Sequence, residues 1–206
     1  MIKEIFIGRK PSDFHVNSVV KAFIISEMFL WSSWNAFNPI FAIFAATKIP
    51  GSNTEIAAAS FSTYLIVRVI FELISGRYLR KSTDIQKLII SILGIILISF
   101  GYIGFALTKT IYLLFVFYGV IGMGLGLATP AKNSLFSLHL DKGKEVVEWS
   151  LYDGVVFLGM AMSATIGGFI ANTYGFTSLF CLIATTNLLS IIPYALLYSR
   201  KEKIVE

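Results

Sequence analysis

The stretch Leu88-Ile89-Ile90-Ser91-Ile92-Leu93-Gly94-Ile95-Ile96-Leu97-Ile98-Ser99-Phe100-Gly101-Tyr102-Ile103-Gly104-Phe105-Ala106-Leu107 holds twenty residues and no charged side chain. A helix rises about 1.5 Å per residue, so this run crosses the roughly 30 Å of hydrocarbon in a bilayer. Five further apolar runs occupy 22–46, 56–74, 111–130, 146–171 and 176–198. Hydrophobic residues make up 56% and charged residues 14% of the 206-residue chain, where a soluble domain carries about 25% charged. The runs are continuous rather than alternating, which favours helices that satisfy their own backbone bonds over a barrel. The expected fold is therefore all-α and polytopic, a single six-helix domain over 1–206.

The net charge of +5 has no bearing on nucleic acid, because the basic residues sort by side. With a cytoplasmic N-terminus the inner segments hold Lys3, Arg9, Lys10, Lys21, Arg77, Arg80, Lys81, Lys87, Lys132, Lys142, Lys144, Arg200, Lys201 and Lys203. The outer loops hold Lys48 and Lys109, and Arg68 lies within a run. This bias places both termini in the cytoplasm of a cell (inner) membrane protein. The first run is too long for a signal peptide and lacks a small-residue cleavage pattern after it, so it reads as a retained helix. Cys181 is the only cysteine, and His15 and His139 have no ligand partners at metal spacing. The sequence predicts no metal, no cofactor and no enzyme.

Connections between runs are short; 131–145 mixes Leu135, Phe136 and Leu138 with Lys132, His139 and Asp141, a pattern suited to an element lying among headgroups. Breaks are expected near Pro39, Pro130 and Pro193, since proline donates no backbone bond. Gly122 and Gly126, then Gly159, Ser163 and Gly167, are spaced so that small residues share a helix face. Such faces let helix backbones approach closely.

Two polar constellations lie inside the runs. Glu27, Trp31, Trp34, Asn35 and Asn38 fall on one stripe of the first helix. A carboxylate facing lipid costs about 2.5 to 3.5 kcal/mol on insertion scales, so the stripe is expected to line a cavity or a helix interface. Trp31, Trp34, Asn35 and Asn38 reach midplane depth and are the candidate solute-binding residues. The second constellation is ionic. Arg68 and Glu72 are helix neighbours; Glu27, Arg68 and Asp153 lie at similar depth, with Glu72 and Glu148 somewhat shallower, so four carboxylates are expected to share one arginine. A carboxylic acid in such a low-dielectric network is a candidate proton carrier, Glu27 and Asp153 first.

These residues resemble one six-helix half of a twelve-helix transporter of the major facilitator superfamily. The loop Gly76-Arg77-Tyr78-Leu79-Arg80-Lys81-Ser82-Thr83-Asp84 is similar to that family's cytoplasmic signature at Gly76 and Lys81; Arg80 replaces its acidic residue and Thr83 its second glycine. The ends Ala128-Thr129-Pro130-Ala131 and Gly167-Gly168-Phe169-Ile170-Ala171, followed by Tyr174-Gly175, are similar as well. The stretch from Leu140 to Asp153 resembles small prokaryotic members. The resemblance implies a pair of inverted three-helix repeats, with the first and fourth helices lining a midplane cavity between two bundles.

A lone half would turn the Trp31 to Asn38 stripe toward lipid. A parallel homodimer, or a second six-helix bundle, is therefore the expected partner, besides the bilayer and a small solute. The expected function is alternating-access transport of a small solute, with the proton as a candidate coupling ion; two tryptophans, two asparagines and one acid would suit an amphipathic cation. The competing reading is a non-transporting scaffold or accessory subunit whose polar seam only holds helices together. A membrane enzyme comes third, since the carboxylates lack histidine or metal-ligand company.

Overall fold

The computed structural model describes residues 16–197. His15 and the flanking cations Lys3, Arg9, Lys10, Arg200, Lys201 and Lys203, together with the expected last helical residue Tyr198, lie outside the described residues. The described residues form helices and turns throughout and include no strand. Helix α1, Ser18–Phe37, starts where the Asn17 side chain accepts from the N–H groups of Val19 and Val20 at 3.0 and 2.9 Å, satisfying donors that have no partner within the helix. It ends in a 3-10 turn, Asn38–Ile40, before α2 continues over Phe41–Lys48. Pro39 causes that break, since it has no N–H to return to the preceding turn.

Helix α3, Thr54–Leu79, is capped by Asn53, and α4, Asp84–Leu107, opens on a reciprocal pair. In that pair Thr83 accepts from Gln86 N–H while Gln86 accepts from Thr83 N–H. Helix α5 runs over Ile111–His139 and α6 over Glu145–Leu189, with 191–197 helical again after a turn at Ser190. Gly175 interrupts α6 at φ 85°, ψ 166°, a conformation open to glycine, and divides it into two arms. Among the described residues four helices are long and apolar enough to cross a membrane: α3, α4, α5 and the span Glu145–Leu197. The last is 53 residues long, about 80 Å as a straight rod, so only the reversal at Gly175 lets it fit a bilayer.

Two local expectations are corrected. Pro130 does not end its helix; α5 passes through it as far as His139. Ala131, Lys132, Leu135 and Phe136 are buried on one side there, so packing holds the helix together where local propensity alone would not. The segment 131–145 is thus not an element among headgroups but two further turns of helix followed by a tight connection, with Gly143 at φ 81°.

Helix α1 packs along α6, α3 along α5, and α4 against both α5 and α6. The glycine spacing explains how close they come. A methyl group added at Gly122 would lie 2.5 Å from the Tyr64 carbonyl oxygen of α3, and one at Gly126 would lie 2.6 Å from that of Arg68. Gly167 meets the Ala36 backbone of α1 in the same way, and Gly94 and Gly124 face each other between α4 and α5. Buried polar groups supply further interhelical bonds: Asn187 donates to Ile95 O at 2.9 Å and to Ser99 Oγ at 2.7 Å, and Ser26 Oγ donates to Ser190 O at 2.6 Å. Around the Pro39 break the interior is aromatic, with Phe37, Phe41, Phe105, Tyr118 and Phe180 in mutual contact.

Candidate functional site

Two charges buried in the bundle, Glu27 on α1 and Lys132 on α5, face each other. Lys132 Nζ lies 2.7 Å from Glu27 Oε1, and the indole N–H of Trp31, one turn along α1, donates to Glu27 Oε2 at 3.1 Å. Both carboxylate oxygens are thus occupied, the arrangement a buried ion pair needs to offset its desolvation. Phe23 and Phe136, one turn from each partner, stack at 4.3 Å and are joined by Tyr152 and Trp149 of α6. This aromatic layer separates the pair from the Asn17 end. By helix rise Glu27 is about 13 Å in from Ser18 and Trp31 about 20 Å.

Lys132 was missed by reading the chain up to Pro130 and assigning the rest to the cytoplasmic flank. The missed signal was periodic. Ala128, Leu135 and Phe136, at −4, +3 and +4 from Lys132, continue the apolar face of α5 beyond the proline and draw the lysine inward with them.

The expected sharing of one arginine by four carboxylates is not what the structure holds. Arg68 Nε pairs with Glu72 at 3.3 Å and its NH1 donates to the Tyr64 hydroxyl at 2.9 Å, all three on α3. Glu27 pairs with Lys132 instead. Glu148 is buried against the α5–α6 connection, where one oxygen accepts the Asp141 N–H at 2.9 Å. Asn17 binds that same connection, donating to His139 O and to Asp141 Oδ1. Asp153 is exposed on α6 and makes no ion pair with Arg68.

The stripe of α1 is likewise divided. Trp34 is only 7% exposed, its ring 4.8 Å from that of Tyr64. Asn35 donates to Met160 O of α6 at 2.9 Å. Trp31 and Asn38 remain half-buried. Arg68 and Glu72, by contrast, stay 23% and 38% exposed on α3, about 16 and 10 Å from its Leu79 end by helix rise. An open charge pair at that depth has no business in hydrocarbon and marks a protein or water interface. A small crevice of about 50 Å³ lies at the Asn17 end among Phe23, Leu88, Phe136, His139 and Tyr194, away from the stripe.

Among the described residues no group of His, Cys, Asp and Glu could hold a metal ion, and Cys181 is exposed. The site can therefore offer ion pairing, aromatic stacking and amide hydrogen bonds. Comparison with curated proteins gives no match. The sequence profile of the Major Facilitator Superfamily does match, over residues 23–205, and that span includes the Glu27–Lys132 pair, the Arg68–Glu72 pair and every helix from α2 to α6. This apolar helical chain belongs to the Major Facilitator Superfamily, a family of membrane transporters.

Proposed function

We propose that the chain is one half of an alternating-access transporter for a small solute, completed by a second copy as a parallel homodimer in a cell (inner) membrane, with both termini cytoplasmic. The observation that carries this reading is the Arg68–Glu72 pair left open on α3, together with half-buried Trp31 and Asn38 on α1. In a lone bundle these groups meet acyl chains, and against a second copy they line a shared interior. The sorting of cations to the Asn17 end of the helices supports parallel copies.

In this reading six membrane crossings form two inverted three-helix repeats. The two glycine seams, α3 on α5 and α1 on α6, support it, because they leave each helix pair rigid. The Glu27–Lys132 pair then closes the Asn17 end, and its rupture accompanies opening toward that side. A proton delivered to Glu27 would remove the counter-ion of Lys132 and so couple proton movement to opening. Trp31 and Asn38, with Trp34 and Asn35 behind them, supply the stacking and amide contacts for an amphipathic, cationic solute.

The direct experiment is uptake into proteoliposomes with a panel of fluorescent amphipathic cations, comparing wild type with Arg68→Gln. Saturable accumulation that Arg68→Gln abolishes, with folding intact, is expected. A folded, strictly monomeric wild type that accumulates none of the panel would count against the carrier.

The second reading, a scaffold or accessory subunit, draws on Trp34 packed against Tyr64 and Asn35 tied to Met160 O, where part of the stripe acts as an interhelical seam. It predicts a partner-dependent phenotype without accumulation of any solute.

A further inference from the structure

A groove of about 450 Å³ runs between α1 and the last helical segment 191–197, within the 300 to 1,000 Å³ or so of small-molecule sites. Ala22 is too small to fill the contact, and the helical segment after the turn at Ser190 forms the opposite wall of the groove. The Ser26 hydroxyl bonded to Ser190 O pins the two segments beside it. Its walls are otherwise Ile25, Phe29, Ile192 and Leu196, and Ser18 and Lys21 stand at its mouth.

At about 100° per residue, Ser18, Ala22, Ile25 and Phe29 lie on the opposite side of α1 from Glu27, Trp31, Trp34 and Asn38. The groove therefore faces away from the candidate solute site. Its polarity is graded along the helix. Lys21 sits in the first turn of α1, exposed and without an ion-pair partner among the described residues, and Phe29 lies about 12 Å deeper by helix rise. Among the described residues no carboxylate lines the groove, so none of them would receive the ammonium of a zwitterionic headgroup.

We propose that this groove binds an anionic phospholipid, its phosphate on Lys21 and the Ser18 hydroxyl and one acyl chain along Ala22, Ile25 and Phe29. Lysine beside an anionic lipid surface contributes enough to favour it over a neutral lipid by about fivefold. The site depends on the chain lying in a membrane but not on transport.

The test uses the full chain, purified and stripped of lipid, with its unfolding temperature followed as phosphatidylglycerol, phosphatidylcholine or soluble glycerol phosphate is added. Ligand that binds only the folded state raises that temperature. Phosphatidylglycerol should stabilise saturably and at about one fifth of the concentration of phosphatidylcholine. Lys21→Gln should bring the two lipids level, Lys48→Gln at the far end should change nothing, and Ala22→Trp should abolish both responses. Should Ala22→Trp not fold, Ile192→Trp fills the same groove from its exposed wall, and native mass spectrometry counts the lipid retained. Equal responses to the two lipids in wild type, an undiminished preference in Lys21→Gln, or stabilisation by glycerol phosphate alone would overturn the proposal. Disulfide bonding between copies bearing Ala22→Cys in a Cys181→Ser background would overturn it too, by giving the groove to a second chain.

Discussion

Lys132 Nζ lies 2.7 Å from Glu27 Oε1, with side-chain exposures of 2% and 3%, and the pair ties α1 to α5 beside the Phe23–Phe136 stack. Removing one partner strands the other charge in a low dielectric. Lys132→Met should therefore destabilise the protein by about 3 to 5 kcal/mol. Adding Glu27→Gln to it should recover most of that loss, since the remaining amide still accepts from Trp31. Unfolding of the single and double variants in detergent, followed by tryptophan fluorescence, measures the coupling; additive losses would show that the two groups do not act as a pair.

The glycines divide into contacts and open positions. Gly122→Val places a side chain against the Tyr64 carbonyl, which cannot retreat without moving α3, and should cost about 1 to 3 kcal/mol. Gly168→Ala meets nothing within 4 Å and should stabilise by up to about 1 kcal/mol through helix propensity. The same unfolding assay reads both, and the opposite sign for either substitution contradicts the seam.

Copies meeting along the polar side of α1 should be linked by an oxidant through Asn38→Cys. Trp34, named with Asn38 by sequence reasoning, is the poorer position because its ring lies inward against Tyr64. Exposed Cys181 must first be replaced by serine. Leu107→Cys, on the outward face of α4, should stay monomeric in membranes where Asn38→Cys dimerises. Equal crosslinking at both positions would point to random collision.

Proton coupling, if it runs through the Glu27–Lys132 pair, should leave an asymmetric signature. Uptake by Glu27→Gln should lose its dependence on pH, while Asp153→Asn, which alters an exposed carboxylate, should keep the wild-type profile. Identical profiles in wild type and both variants would remove the proton from the cycle.

The sequence made the helical, membrane-embedded character plain because run length and missing charge depend on the solvent rather than on tertiary detail. Gly122, Gly126, Gly159 and Gly167 were legible for a similar reason: spacing by four states which face is small. Partnership was not legible. Depth along the helices grouped Glu27, Arg68, Glu148 and Asp153, but depth carries no azimuth; the structure sends Glu27 to Lys132, Arg68 to Glu72 and Glu148 to the Asp141 N–H, and leaves Asp153 exposed. Lys132 was hidden by Pro130, read as a stop where Leu135 and Phe136 keep the helix going.

Gly175 turns the chain through a single residue, and the other connections at that end of the bundle, around Gly51 and around Thr108 to Thr110, are little longer. That end is nearly bare of handles. A protease finds no slack strand there, an antibody finds little to grip, and an inserted reporter would have to prise two helices apart. Tags and fusions belong at the other end of the molecule, where Asp141, Lys142 and Gly143 already leave the helical rods.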